Sequence, residues 1–370
     1  MRNVAVVALV LGSVIAAGCD EEKKPTPAAP SASASAAAVT PSASASAAPK
    51  PPTMAEMSVA SNKLVLDGWN SHEPKKVAAA YAADAVLKIP GLPDLKGREA
   101  IAAEALQNFV AFTDFKLAFA RVWQKGNVQV IEWVVNGTNT GDFMGKKATG
   151  RPTGVNGVSV VTLTDEGLIK EDHRYFDMTT TTHQLDPKAV AGTFRAVPAL
   201  PTTMETHLAK DDPASLAKVN EMYAAIDSHK ADGVVALFTD DATLDDYSQP
   251  AVATGKKGIK DTLNGFFGIF PDLKQTNTMQ FVADGWVISE GTLTGTQKGA
   301  LGPVKATNKP VTLHYLDLWQ VREGRVVASR SYSNAYELLV AVGAAPAPGA
   351  APSASAAGSA GPPAPKASAK

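Results

Sequence analysis

The chain has 370 residues, with 35 Lys plus Arg against 36 Asp plus Glu, and a single cysteine. A net charge near zero with scattered basic residues gives no electrostatic footprint for nucleic acid, so no nucleic-acid partner is expected. One cysteine excludes an internal disulfide and a cysteine-based metal cluster.

Residues 1–19, MRNVAVVALVLGSVIAAGC, carry one positive charge at Arg2, an apolar run from Val4 to Ala17 and small residues before Cys19. The run is too short to cross a bilayer and reads as an export signal. Its ending, Ile15-Ala16-Ala17-Gly18-Cys19, resembles a bacterial lipoprotein signal. That resemblance implies lipidation of Cys19, a membrane partner through the lipid anchor, and a place in the cell envelope facing the periplasm or exterior. An ordinary secretory signal with an incidental cysteine is the alternative. Residues 20–52 and 344–370 consist largely of Ala, Pro, Ser, Gly and Lys without apolar periodicity, so disorder is expected in both.

Between these tracts the sequence repeats at a spacing of about 157 residues. Asn70-Ser71-His72 returns as Asp227-Ser228-His229, and Tyr81 with Asp84-Ala85 as Phe238 with Asp241-Ala242. Gly97 and Ile101 answer to Gly255 and Ile259, and Phe112 to Lys116 answer to Phe270 to Lys274. Gly137-Thr138-Asn139-Thr140-Gly141 is matched to Gly291-Thr292-Leu293-Thr294-Gly295, and Glu166-Gly167 with Tyr175 to Glu323-Gly324 with Tyr332. Two copies of one domain follow, 54–186 and 213–343, joined by a proline-containing linker at 187–212.

Each copy reads as helix, helix, short strand, helix, then four strands. Leu216, Val219, Met222, Tyr223 and Ile226 share one helical face, and Asp212-Pro213 supplies an N-cap and a first-turn proline. Val311, Leu313, Tyr315, Trp319 and Val321 alternate with His314 and Gln320, the period of a strand covered on one face. The fold class is therefore α+β, two tandem domains, each with three helices on one side of a curved antiparallel sheet. The glycine-rich stretch at 137–152, GTNTGDFMGKKATGRP, lacks the spacing of a phosphate-binding loop and stands between two strand-like runs. It reads as a long hairpin connection.

Trp69-Asn70-Ser71-His72-Glu73-Pro74 followed by Tyr81-Ala82-Ala83-Asp84-Ala85 resembles the opening of SnoaL-like polyketide cyclases, within the nuclear transport factor 2-like superfamily. Gly137 to Gly141, Thr149-Gly150-Arg151-Pro152, Asp165-Glu166-Gly167 and Gln184-Leu185 resemble later signatures of that family. The resemblance implies cone-shaped domains, each enclosing an apolar pocket, without a metal or organic cofactor. It implies Asp177 as the acid/base of the first domain, since proton transfer next to a carbonyl needs a carboxylate in an apolar site. Strand parity puts His173 and Tyr175 on one face, and Trp133 and Asn139 share a parity on the neighbouring strand. These four residues are the expected ligand contacts of the first copy.

Asn139 stands where many family members have histidine, and an asparagine can hold an oxygen but cannot shuttle a proton. In the second copy Asn334 replaces Asp177, leaving His314, Asp317, Tyr332 and Asn334 as candidate ligand contacts without the family's base. Asp317 interrupts an apolar strand face, as a pocket group or an edge-strand residue. His72 and His229 are read as structural turn residues. Two functions follow: a membrane-tethered protein binding a hydrophobic small molecule or a partner, or a cyclase or isomerase acting through Asp177. A homodimer or an intramolecular pairing of the two copies is the expected assembly.

Overall fold

The computed structural model describes residues 52–190 and 192–346; the expected export signal, Cys19, most of the first low-complexity tract and nearly all of the last lie outside them. No helix among the described residues is long and apolar enough to cross a membrane. The first copy runs through helices Met54–Asn70 (α1) and Pro74–Ala79 (α2), strands Tyr81–Lys88 (β1) and Leu95–Lys96 (β2), and helix Gly97–Ala111 (α3). Strands Lys116–Lys125 (β3), Val128–Thr138 (β4), Pro152–Leu163 (β5) and Ile169–Phe176 (β6) follow, then helix Met178–Leu185 (α4). Linker strand Glu205–Leu208 (β7) precedes the second copy. That copy comprises helices Pro213–Asp227 (α5) and Ala231–Val235 (α6), strands Phe238–Asp246 (β8) and Ala253–Thr254 (β9), helix Gly255–Ile269 (α7), and strands Lys274–Ala283 (β10), Trp286–Thr296 (β11), Pro310–Arg322 (β12) and Arg325–Ser333 (β13). It closes with helix Ala335–Val342 (α8).

Local chemistry sets these boundaries. Thr53 and Glu56 form a capping box that starts α1, and Asp212 accepts from the Ser215 amide at the head of α5, with Pro213 in the first turn. His72 and His229 both take φ of 56° in the turn after the first helix, where each ring Nε2 lies 2.8 Å from a carbonyl, of Phe115 and Leu273. These hydrogen bonds hold a backbone conformation that few side chains adopt, so both histidines are structural.

The sheets have the orders β2-β1-β6-β5-β4-β3-β7 and β10-β11-β12-β13-β8-β9. They are mixed rather than antiparallel throughout: β1 runs parallel to β6, β8 to β13, and β7 to β3. The linker is thus partly sheet. After β7 it pairs with the edge of the second sheet, where Lys210 donates its amide to the Val282 carbonyl.

Each sheet curls around its own apolar core. Trp69, Tyr81, Phe109, Phe115 and Trp133 belong to the first core; Tyr223, Phe238, Phe270, Tyr315 and Trp319 belong to the second. A third cluster joins the outer faces of the two sheets, with Trp123, Val130, Val158, Val160 and Tyr175 against Phe281, Trp286, Ile288, Leu316, Leu318 and Tyr332. The mid-sheet strands are therefore covered on both faces, not one. On β12, Tyr315, Asp317 and Trp319 point into the cone while Leu316 and Leu318 point into the seam.

Candidate functional site

Strand parity decides where each expected residue lies. On β6, Asp172 and Arg174 point into the first cone, whereas His173 and Tyr175 point into the seam between the domains. The Tyr175 hydroxyl donates to Glu290 Oε1 at 2.7 Å, and His173 Nδ1 sits 2.8 Å from the same oxygen. The arrangement recurs across the seam: the Tyr332 hydroxyl donates to Glu132 Oε1 at 2.7 Å, and Arg330 Nη1 lies 3.0 Å from both carboxylate oxygens. Arg121 Nη1 also donates to Glu132 Oε2 at 2.7 Å. His173 and Tyr175 share a face as expected, but it is the outer face, and the same holds for Tyr332. Hydrogen bonding to Glu290 raises the His173 pKa, and burial raises those of Tyr175 and Tyr332.

Asp177 is the N-cap of α4. Its carboxylate accepts from the Thr179 and Thr180 amides, from both of their hydroxyls, and from the amide of Ala335 at the head of α8. Asn334 caps α8 in turn, and its Oδ1 accepts from the amides of Tyr336 and Met178. The two residues therefore cross-cap each other's helices. Burial raises the pKa of Asp177, against the hydrogen bonds from Thr180 and Thr179. The structure thus places Asp177, expected as the acid/base, as a helix cap engaged by five donors.

The remaining expected contacts are also placed. Asn139 lies past the end of β4, where its side chain donates to the Gly141 carbonyl at 2.8 Å and accepts from the Thr149 amide at 2.8 Å. It folds the long β4–β5 connection back on itself, so it has no oxygen free for a ligand. Its counterpart is Gln297, with the same bonds to Gly299 and Thr307. The Asp114 contact to the Thr138 amide and the Asp272 contact to the Thr296 amide fix this register. The second copy of Gly137 to Gly141 is accordingly Gly295 to Gly299, and the match to Gly291 is corrected by four residues. His314 stands on the surface, its Nδ1 2.7 Å from Glu337 Oε1, and that contact raises its pKa.

Trp133 and Asp317 do face the cones. Trp133 donates through Nε1 to Ser159 Oγ at 3.2 Å. Beside it the first cone holds a charged cluster: Tyr81 donates to Asp172 Oδ2 at 2.7 Å, Arg174 Nε to the same oxygen at 2.9 Å, and Arg174 Nη2 to the Tyr81 hydroxyl at 2.8 Å. Glu104 lies 3.5 Å from Arg174, whose guanidinium also sits 5.5 Å over the Trp69 ring.

The second cone is arranged differently. Asp317 accepts from Ser331 Oγ at 2.6 Å and from the Tyr223 hydroxyl at 3.0 Å, and Trp319 Nε1 donates to that hydroxyl at 3.0 Å. Ser331, two residues past Ser329 on β13, stands where the first copy has Arg174, so among the described residues Asp317 has no cation beside it. Burial pushes its carboxyl up to about 7, opposed by Ser331 and Tyr223 and reinforced by Asp246. A carboxyl half-protonated near neutrality can both donate to and accept from a ligand, or exchange a proton with one.

Asp172, Arg174, Glu104, Glu132 and Glu290 were not singled out from the sequence, and Tyr223 was read only as part of an apolar helix face. The available signal was a charged residue inside an apolar strand, as in Val130-Ile131-Glu132-Trp133-Val134. Among the described residues no three His, Cys, Asp or Glu side chains converge as a metal set.

AclR from Streptomyces galilaeus is 22% identical over 37% of this chain and 85% of its own, with a TM-score of 0.34. IdmH from Streptomyces antibioticus is 24% identical over 34% of this chain and 96% of its own, with a TM-score of 0.31. An NTF2-like protein of unknown function from Burkholderia pseudomallei is 15% identical over 35% of this chain and 97% of its own, with a TM-score of 0.31. No curated protein matches the chain. The family described as SnoaL-like polyketide cyclase matches residues 61–185 and again 217–342, more than half of the sequence, and the chain belongs to that family as a tandem pair.

Proposed function

We propose that the chain is an envelope-tethered binding protein that holds a small, largely apolar molecule in its second cone, with one polar atom of the ligand against Asp317. One observation carries this reading: a fully enclosed carboxyl without a cation, among Tyr223, Trp319 and Tyr315. Burying an acid without a counter-charge is unfavourable, and such groups cluster at functional sites. In the first cone the corresponding space is neutralised internally by Arg174, and the family-implied Asp177 is used as a cap. The export signal read at residues 1–19 supports binding over polyketide cyclisation, whose substrates are usually made in the cytoplasm.

The second reading is proton transfer next to a carbonyl, with Asp317 rather than Asp177 as acid/base. Its support is the value of about 7, close to the pH at which such a group must both give and take a proton. Mass spectrometry of small molecules co-purified with the full chain tests both. Binding predicts occupancy that survives Asp317→Asn and collapses in Asp317→Leu. Proton transfer adds that Asp317→Asn abolishes turnover of an isomerisable ketone while ligand is still held. Occupancy unaffected by either substitution would remove both readings.

A further inference from the structure

A cavity of about 640 Å³ lies outside both cones, against the seam, within the size range of small-molecule sites. Its floor is a row of residues in register across four strands of the second sheet: Trp286, Gln320, Ala328 and Thr243. Arg121 on β3 and the linker residues Glu205 and His207 on β7 line it from the first sheet. The wall supplied by β7 belongs to neither repeat.

Three guanidiniums line this groove. Arg121 and Arg330 lie 6.0 and 5.8 Å from the Trp286 ring centre. Arg330 uses Nη1 on Glu132, and its Nε and Nη2 hydrogens have no partner among the described residues. Arg322 is exposed and makes no ion pair among the described residues. The acids on the lining are already engaged: Glu205 with Arg121 at 3.2 Å, Asp284 with His207 at 3.2 Å, and Asp245 with Arg195 at 2.6 Å. The Nε2 atom of His207 is buried, makes no hydrogen bond among the described residues and lies 3.5 Å from Glu205 Oε2.

We propose that this groove binds a small organic carboxylate with a flat apolar body. The free edge of a guanidinium matches a carboxylate in a two-pronged hydrogen bond. Glu132, Glu205 and Asp284 nearby oppose a doubly charged anion, so one negative charge fits better than the two of a phosphate monoester. Val252, exposed on the lining, and the partly exposed Ala328 give the body of the ligand an apolar surface to lie on. The site is independent of the assignment of Asp317.

Calorimetric titration of the full chain at low ionic strength, with benzoate, benzamide and inorganic phosphate, tests the proposal. Benzoate should saturate one site, with benzamide and phosphate each weaker by about tenfold or more. Arg322→Gln, a surface change with little risk to folding, should weaken benzoate about tenfold. Arg330→Gln should do the same, and Asp317→Asn should leave benzoate binding unchanged. The proposal is overturned if benzoate does not bind, if benzamide or phosphate binds equally well, if Arg322→Gln has no effect, or if Asp317→Asn abolishes binding.

Discussion

Replacing Asp317 with Asn separates the charge of this side chain from its shape. In the folded protein burial raises the carboxyl from 3.8 to about 7, whereas in the unfolded chain it titrates as an ordinary carboxyl. The folded state therefore holds the proton more tightly. The stability linked to that proton is complete below about pH 4 and is lost as pH rises through about 7. The interval between the two values corresponds to about 4 kcal/mol. Wild type and Asp317→Asn should accordingly have similar urea midpoints near pH 4 and diverge above it, the variant becoming more resistant by about 4 kcal/mol at pH 8. The other titrating groups are common to both proteins and largely cancel in the difference. Two stability curves that run parallel from pH 4 to pH 8 would mean that Asp317 ionises freely, and the argument from its burial would fail.

Glu132→Leu leaves Arg121 and Arg330 facing the seam without their shared carboxylate, and denaturant titration should show a loss of about 3 kcal/mol. Tyr332→Phe removes one hydrogen bond to that carboxylate and should cost less, about 1.5 kcal/mol; the reverse order would count against a charge-centred seam. A Cβ on Gly157 would lie 2.1 Å from the Trp133 ring, so Gly157→Ala should lower the melting temperature by an amount equivalent to about 1–3 kcal/mol. Gly265→Ala, on α7 with nothing within 4 Å of the added carbon, should be neutral or stabilising. Cys19→Ser should move the protein from the membrane to the soluble fraction if the lipid anchor exists, and continued membrane fractionation would exclude it.

The duplication, the order of most elements and the Asp212 cap were legible because each rests on local chemistry. Asp212-Pro213 announces a helix start whatever surrounds it, and Glu166-Gly167 and Glu323-Gly324 mark hairpins for the same reason. Parity showed that His173 and Tyr175 share a face, but it could not say which face is inside. That choice is readable only when one side of a sheet is wet. Here Val158 and Val160 on the outer side are as apolar as Val155 and Val161 on the inner side, because the seam dries both. The register of the second glycine motif slipped because Gly291-Thr292-Leu293-Thr294-Gly295 copies the spelling of Gly137 to Gly141 while lying mid-strand. The true counterpart keeps the hydrogen bonds and changes the letters, with Gln297 for Asn139. The strand β7 had no signal, since four residues taken from a linker become a strand only when an open edge receives them.

Fusing the copies into one chain has a consequence for how they can change. In an assembly of two identical subunits every substitution is imposed twice, so neither half can depart from the other. Here the bulk facing the interior has moved between neighbouring strands: Trp133 stands opposite Gly157 in one copy, whereas Gly291 stands opposite Tyr315 in the other. Arg174 in one interior likewise answers to a serine in the other. A covalent pair can therefore keep its shared inner wall in place through Glu132 and Glu290 while each half specialises independently.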